Sequence, residues 1–242
     1  MVASAQERLI VALVVPTAEE ALRLIRLLAP HVGLFKIGLQ LYTAEGPRVV
    51  RAAAELGAEV FLDLKLHDIP NTVGSTVTEV CRLGVRMMTL HTLGGAAMLG
   101  RARLAADEQR AKTGKPSPLL LGVTVLTSLG PEAVSQLGFR ENLGDLVRRL
   151  ARLAQDSGLD GIVCSPQEVK GLREAGLDRL VFVTPGVRPG GSALEDQSRV
   201  STPAQALSEG AGYLVVGRPI VRALDPIAAA RAIVREMEAA MI

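Results

Sequence analysis

The chain of 242 residues is long enough for one sizeable core, and its 48% apolar and 21% charged residues are typical of a folded globular protein. The 27 basic and 25 acidic residues nearly cancel, no basic block is present and Trp is absent, so we expect no nucleic-acid partner. No run approaches the roughly 18 to 20 apolar residues that span a bilayer, and Cys81 and Cys164 lack the spacing of a zinc site or a disulfide framework. We therefore predict a single cytoplasmic domain over residues 1–242, without membrane contact.

Short apolar runs alternate with longer amphipathic stretches from end to end, which is the pattern of strand and helix units around a parallel sheet. The first helix is predicted over 17–28, where Thr17 and Glu20 have the spacing of a capping box. A glycine that can end a helix in the left-handed conformation precedes a strand at five places: Gly57, Gly84, Gly158, Gly176 and Gly210. Eight strands are predicted, at residues 9–15, 34–37, 59–65, 86–91, 119–125, 161–164, 180–184 and 213–217.

Eight strand and helix units of this kind most simply close into a (β/α)8 or TIM barrel, an α/β fold that carries its chemistry at the carboxyl ends of the strands. An open doubly wound sheet is the alternative fold. No Gly-x-Gly-x-x-Gly motif follows the first strand to support that alternative, so we predict the barrel.

Three charges spaced Asp-x-Lys-x-x-Asp end the third predicted strand. Asp63 and Lys65 are two residues apart, so they should share one face of the strand. Pro70 cannot donate to a sheet, and Asp68 therefore lies on the following loop, where it can reach away from its own strand. Taken alone, the Asp63–Lys65 pair could also be an ion pair that only closes a barrel.

Polar side chains also follow other predicted strands, and a barrel would bring them to one mouth. Lys36 ends the second strand, His91 the fourth, and Thr127 and Ser128 follow the fifth. A single strand-end histidine such as His91 is more often a hydrogen-bonded structural residue than a ligand or an acid.

The loops after the seventh and eighth strands predict a phosphate site, because such loops commonly bind phosphate through backbone amides. Gly217 permits close approach of the backbone, and Arg218 supplies several donors to an oxyanion, unless it merely pairs with a surface acid. The segment 185–200 is rich in Gly and Ser and resembles a lid that folds over a ligand.

The charged run at the third strand is similar to the signature of the orotidine 5′-monophosphate decarboxylase family. It reads Asp-Leu-Lys-Leu-His-Asp-Ile-Pro-Asn-Thr over residues 63–72. Further stretches that resemble the family cover nearly the whole chain, at residues 9–13, 35–38, 126–128, 159–165, 184–189, 196–197 and 216–219.

This resemblance implies a dimeric, cofactor-free barrel that converts orotidine 5′-monophosphate to UMP and carbon dioxide. It implies that Lys36, Asp63 and Lys65 form a charge network with Asp68 of the partner subunit, in which Lys65 protonates C6 of the pyrimidine. The substrate contacts that it implies are Thr72 to the ribose of the partner's ligand, Thr127 to the pyrimidine edge, and Arg188, Gln197, Gly217 and Arg218 to the phosphate region.

One position departs from the family. Members usually carry an Asp after the first strand that accepts hydrogen bonds from the ribose and from the second-strand Lys, and this chain has Val14 there. We expect this loss to weaken ligand binding or to slow the reaction without changing the chemistry.

Two alternatives remain. Related barrels that act on phosphosugars as magnesium-dependent decarboxylases or synthases share the Asp-x-Lys-x-x-Asp run, but they generally carry an acidic residue where this chain has Lys36. Positive charge from Lys36 and Lys65 disfavours a metal at these carboxylates, so we predict none. The second alternative is a barrel that binds UMP with little or no turnover.

Overall fold

The computed structural model describes residues 3–188 and 201–241, and these form a closed barrel of eight parallel strands in chain order. β1 pairs with both β2 and β8, which closes the sheet. The strands are β1 Leu9–Ala12, β2 Leu34–Gly38, β3 Val60–Leu66, β4 Met87–His91, β5 Leu119–Val123, β6 Gly161–Val163, β7 Val181–Thr184 and β8 Tyr213–Val216. The predicted (β/α)8 barrel is confirmed.

Helices connect the strands on the outside of the barrel. They are α1 Ala5–Arg8, α2 Ala18–Leu28, α3 Leu39–Glu45, α4 Pro47–Glu55, α5 Pro70–Leu83, α6 Gly95–Thr113, α7 Pro131–Gln136, α8 Leu143–Asp156, α9 Pro166–Glu174, α10 Pro203–Ser208, α11 Arg218–Val221 and α12 Pro226–Ala239. Short 3₁₀ turns occupy Ala29–His31 and Thr92–Gly94. Among the residues described, no helix has both the length and the apolar character needed to cross a bilayer.

The predicted helix start at Thr17 is found, because the Thr17 hydroxyl accepts a hydrogen bond from the Glu20 amide at 3.3 Å. The amide of the next residue, Ala18, donates a hydrogen bond to the Glu45 carboxylate at 2.9 Å. All five glycines predicted to end helices have positive φ, and Gly84 occupies the left-handed cap of α5.

Each predicted strand is present, and the largest difference is in β1. The prediction extended β1 to Val15, but the strand ends at Ala12. There the Val14 amide bonds back to the Ala12 carbonyl at 3.0 Å, so the chain turns out of the sheet and leaves Val14 47% exposed.

Side chains alternate along each strand, and this divides the core into two layers. Leu9 and Val11 point outward into the larger cluster between the strands and the helices. The smaller cluster fills the barrel and contains Ile10, Ala12, Leu34, Phe61, Met87, Leu121, Val183 and Val215. This packed interior closes the barrel below its carboxyl end, so the open space lies at the mouth.

Candidate active site

A cavity of about 380 Å³ opens at the carboxyl ends of the strands. Most of the side chains that we predicted for the site line it. They are Lys36, Asp63, Lys65, Thr127, Arg188, Gly217 and Arg218. The barrel therefore brings these residues together from five different strand ends.

Asp63 lies between two lysines on one side of this cavity. Its Oδ2 is 3.1 Å from Lys36 Nζ, and its Oδ1 is 2.8 Å from Lys65 Nζ. Oδ1 also accepts a hydrogen bond from the Thr89 hydroxyl at 3.0 Å. The buried Asp63 carboxylate thus has two ammonium groups and one hydroxyl as donors.

The electrostatics of this cluster keep Asp63 ionised. Burial by itself raises the pKa of the Asp63 carboxyl, but the positive charges of Lys36 and Lys65 outweigh burial and lower the pKa below its ordinary value.

Within residues 3–188 and 201–241, no group of three or more His, Cys, Asp or Glu side chains is arranged to hold a metal ion.

Lys65 reaches the cavity by a route that strand alternation does not predict. The pairing of β3 with β4 shifts between Leu62 and Leu66, so the intervening β3 residues bulge out of register. In this bulge Lys65 has a φ of 52°, a left-handed value that is uncommon outside glycine. The shared face that we predicted for Asp63 and Lys65 is present, but a distorted backbone produces it.

The rest of the wall is mostly apolar. Phe61, Val123, Val163 and Val215 line the cavity from the strands, and Val14 lies at its rim. Apolar walls exclude water and strengthen the electrostatic effect of the charges beside them.

Guanidinium groups line the cavity from the ends of β7 and β8, and we call this part of the cavity the arginine end. Arg188 follows β7, whereas Arg218 and Arg222 lie on and just after α11. An oxyanion such as a phosphate suits an end that carries several arginines. Gln197, which we predicted for the same region, and most of the predicted lid lie outside the described residues.

Four of the described residues that we named from the sequence for the site or the mouth do not line the cavity: Asp68, Thr72, His91 and Ser128. Asp68, in the loop after β3, and Thr72, in the first turn of α5, are exposed, and the Asp68 carboxylate accepts a hydrogen bond from the Ile69 amide at 2.6 Å. Ser128 is also exposed. A single chain therefore does not bring Asp68 and Thr72 to the Lys65 ammonium.

Two histidines stack on each other at the carboxyl ends of β3 and β4. The rings of His67 and His91 have centroids 5.5 Å apart, and His91 Nδ1 accepts a hydrogen bond from the Leu93 amide at 3.4 Å. Burial, and then the charges of His67 and Lys65, lower the pKa of His91 below its ordinary 6.5. The fold therefore holds His91 in its neutral form, as expected for a structural residue.

The lowered pKa of His91 predicts that the protein loses stability in acid. Because the folded pKa of His91 is lowered, the unfolded chain binds more protons, and the free energy of unfolding falls as the pH drops below about 6.5. We expect His91→Gln to remove this part of the pH dependence below about pH 6.5 in urea unfolding curves. His31→Gln, at the amino end of β2, is the control; an unchanged pH dependence in His91→Gln would contradict the assignment.

Sequence reasoning missed two residues of the site. Thr89 is a polar residue within an apolar strand, and its hydroxyl bonds to the Asp63 carboxylate. Arg222 lies one helical turn beyond Arg218 and lines the same end of the cavity. Two features of the sequence could have indicated them: a threonine within the apolar run of β4, and the Arg-x-x-x-Arg spacing that places Arg222 on the same helix face as Arg218.

Comparisons with known proteins agree with this geometry. The sequence profile of the orotidine 5′-phosphate decarboxylase / HUMPS family matches residues 7–233. An orotidine 5′-phosphate decarboxylase of Moorella thermoacetica is 50% identical over 235 residues, which cover 97% of this chain and 93% of that protein. One from Syntrophotalea carbinolica is 48% identical over 241 residues, covering 100% of this chain and 99% of that one. The crystal structure of orotidine 5′-phosphate decarboxylase from Lactobacillus acidophilus superposes with a TM-score of 0.84 at 37% identity, over 95% of this chain and 98% of that one. This chain therefore belongs to the orotidine 5′-phosphate decarboxylase / HUMPS family.

Proposed function

We propose that this chain decarboxylates orotidine 5′-monophosphate to UMP and carbon dioxide, without a metal or an organic cofactor, in pyrimidine biosynthesis. The observation that carries the proposal is the Asp63 carboxylate held between Lys36 and Lys65, in one cavity that Arg188 and Arg218 also line. The curated relatives named above, at about half identity over nearly the whole chain, support the same reaction.

The chemistry requires a positive charge at the reacting carbon. Breaking the bond between C6 and the carboxylate releases carbon dioxide and leaves the electron pair on C6, with no adjacent group to accept it. The Lys65 ammonium stabilises that charge and then transfers its proton from Nζ to C6, which gives UMP. Solvent returns the proton to Lys65 after product release.

Asp63 and Lys36 prepare the site for this step. Asp63 holds both ammonium groups, and its buried negative charge lies on the side where the substrate carboxylate must bind. Repulsion between the two carboxylates raises the energy of the bound substrate and is relieved as carbon dioxide leaves. Lys36 balances the charge and keeps Asp63 ionised.

Phosphate binding at the arginine end supplies the energy for this placement. We assign the phosphate to Arg188, Gln197, Gly217 and Arg218, and the pyrimidine edge to Thr127. Contacts far from the reacting carbon can be used to seat C6 against Lys65, since binding energy from a remote group lowers the barrier when it fixes orientation.

We also propose a homodimer with shared sites. Asp68 and Thr72 are exposed and do not line the cavity of their own chain, and two apolar side chains that follow β3 and β4, Ile69 and Leu93, are 66% and 42% exposed. A second copy that covers these apolar groups would place Asp68 of the partner subunit in the Lys65 network and Thr72 of the partner subunit near the ribose.

Subunit complementation tests the shared site. Co-expressed Lys65→Ala and Asp68→Asn chains should regain about a quarter of the wild-type activity, because half of the dimers are mixed and each mixed dimer has one intact site of two. Co-expression of Lys65→Ala chains with Asp63→Asn chains is the control. It should regain no activity, because each site takes Lys65 and Asp63 from the same chain, so both sites of a mixed dimer lack one of the two. Equal activity in the two mixtures would exclude a shared site.

Val14 supports a second prediction. Val14→Asp would place a carboxylate at the rim, where it can accept from the ribose hydroxyls and pair with Lys36. A hydrogen bond to a charged group is worth enough to raise kcat/KM about 10- to 100-fold. Val14→Leu is the uncharged control, and a Val14→Asp enzyme no better than wild type would show that the chain does not need this acceptor.

The proposed reaction is tested by following the absorbance of orotidine monophosphate with and without a chelator. Turnover that is unaffected by the chelator supports the proposal. Turnover of a phosphosugar that the chelator stops would favour the magnesium-dependent alternative, although Lys36 already pairs with Asp63 where a cation would bind. UMP binding without turnover would favour the binding barrel.

We further propose that residues 1–242 act as one catalytic domain and that the chain works in the cytoplasm. The closed barrel formed by the described residues supports the first point, since all eight strands contribute to a single sheet. The reaction on a free nucleotide, which is an intracellular metabolite, supports the second.

A further inference from the structure

The bulge in β3 places one residue in an uncommon backbone conformation. Among the described residues, Lys65 is the one non-glycine with positive φ. Phe61 and Leu62 pair with Met87 and Met88, whereas Leu66 pairs with Leu90. Three β3 residues, 63–65, therefore face the single residue Thr89, and the Lys65 amide has no regular partner in the ladder.

The Thr89 side chain takes the place of that partner. Its hydroxyl accepts a hydrogen bond from the Lys65 amide at 2.8 Å and donates one to Asp63 Oδ1 at 3.0 Å. Because an amide only donates and an ionised carboxylate only accepts, these two bonds fix the direction of the hydroxyl proton. Thr89 is completely buried, so no solvent competes for either bond.

The same carboxylate oxygen receives the ammonium. Asp63 Oδ1 accepts from both the Thr89 hydroxyl and Lys65 Nζ, so Thr89 holds Lys65 at its backbone and, through Asp63, at its side chain. A left-handed non-glycine residue persists only where its surroundings determine its conformation, and Thr89 provides that restraint at the reacting lysine.

We propose that Thr89 is a positioning residue, which keeps Lys65 in its left-handed conformation and directs its ammonium along Asp63 into the cavity. The catalytic consequence rests on the proposed function. Thr89 makes no contact with substrate, because it does not line the cavity. Loss of its hydroxyl should therefore act on the chemical step and not on phosphate binding.

The test compares Thr89→Val with Thr89→Ser. We expect Thr89→Val to lower kcat about 10- to 100-fold with KM within about threefold, whereas Thr89→Ser, which keeps the hydroxyl, stays within about threefold of wild type in both. Thr92→Val is the matched control, since Thr92 is another fully buried threonine whose hydroxyl donates to the Val123 carbonyl at 2.8 Å. Its kcat should not change.

A second measurement does not depend on activity. Hydrogen exchange of the Lys65 amide should be at least about tenfold faster in Thr89→Val than in Thr89→Ser, because only the valine variant lacks the acceptor. Thr89→Ala replaces Thr89→Val in both measurements if the valine variant does not fold. Equal kcat in the two variants of an active enzyme, or equal Lys65 exchange, would overturn the inference. If the wild-type protein does not decarboxylate orotidine monophosphate, the proposed function is refuted. The exchange rates of the Lys65 amide then test by themselves whether Thr89 restrains Lys65.

Discussion

Replacing Lys65 by Ala should lower kcat by at least about 10⁴-fold, because in the proposed reaction Lys65 supplies both the charge that stabilises the C6 anion and the acid that protonates it. The ammonium lies at the cavity wall, 2.8 Å from Asp63, whereas the arginines line the cavity from other strand ends, those of β7 and β8. Phosphate contacts should therefore survive the change. We expect the Kd for UMP, measured by calorimetry, to stay within about tenfold of wild type.

Two further variants sharpen this result. Lys65→Arg keeps a positive charge but offers a guanidinium that does not give up its proton, so it should recover only a small part of the lost rate. Lys115→Ala, an exposed lysine near the amino end of β5, should leave kcat unchanged. A Lys65→Ala enzyme that kept a tenth of the wild-type rate would refute the role of Lys65.

The second large effect is expected for Asp63→Asn, which should lower kcat by about 10²- to 10³-fold. Without the carboxylate, Lys36 and Lys65 lose the group that fixes both of them. The substrate carboxylate would then meet two ammonium groups and no opposing charge. Orotidine monophosphate should bind as tightly as to wild type or more tightly, which is the kinetic pattern of relieved ground-state repulsion.

Asp160→Asn is the matched control for this variant. Asp160 pairs with Arg103 at 3.2 Å and accepts from the Leu120 amide, at the amino end of the barrel, away from the cavity. We expect it to reduce stability without changing kcat. A fall in kcat together with a rise in KM for Asp63→Asn would contradict the proposed repulsion.

The sequence predicted the parts of this protein that depend on local pattern. Apolar runs and helix-ending glycines located all eight strands, and the rule that barrel chemistry lies at strand carboxyl ends selected Lys36, Asp63 and Arg218. These features follow from residues close together in the chain, so no knowledge of tertiary contacts was needed.

The features that were missed depend on contacts between strands. The bulge at Lys65 exists because β3 and β4 pair out of register, and the role of Thr89 follows from that pairing. Periodicity within β3 carries no information about β4. Ser128 shows the same limit, because it follows the same strand as Thr127 but is exposed and does not line the cavity.

A crystal structure of this chain with UMP would test the central claim most directly. We predict that the phosphate contacts Arg218 and that C6 of the pyrimidine lies within about 3.5 Å of Lys65 Nζ. A pyrimidine ring bound away from Lys65, or an ammonium group turned toward bulk solvent while the arginines hold the phosphate, would contradict the account.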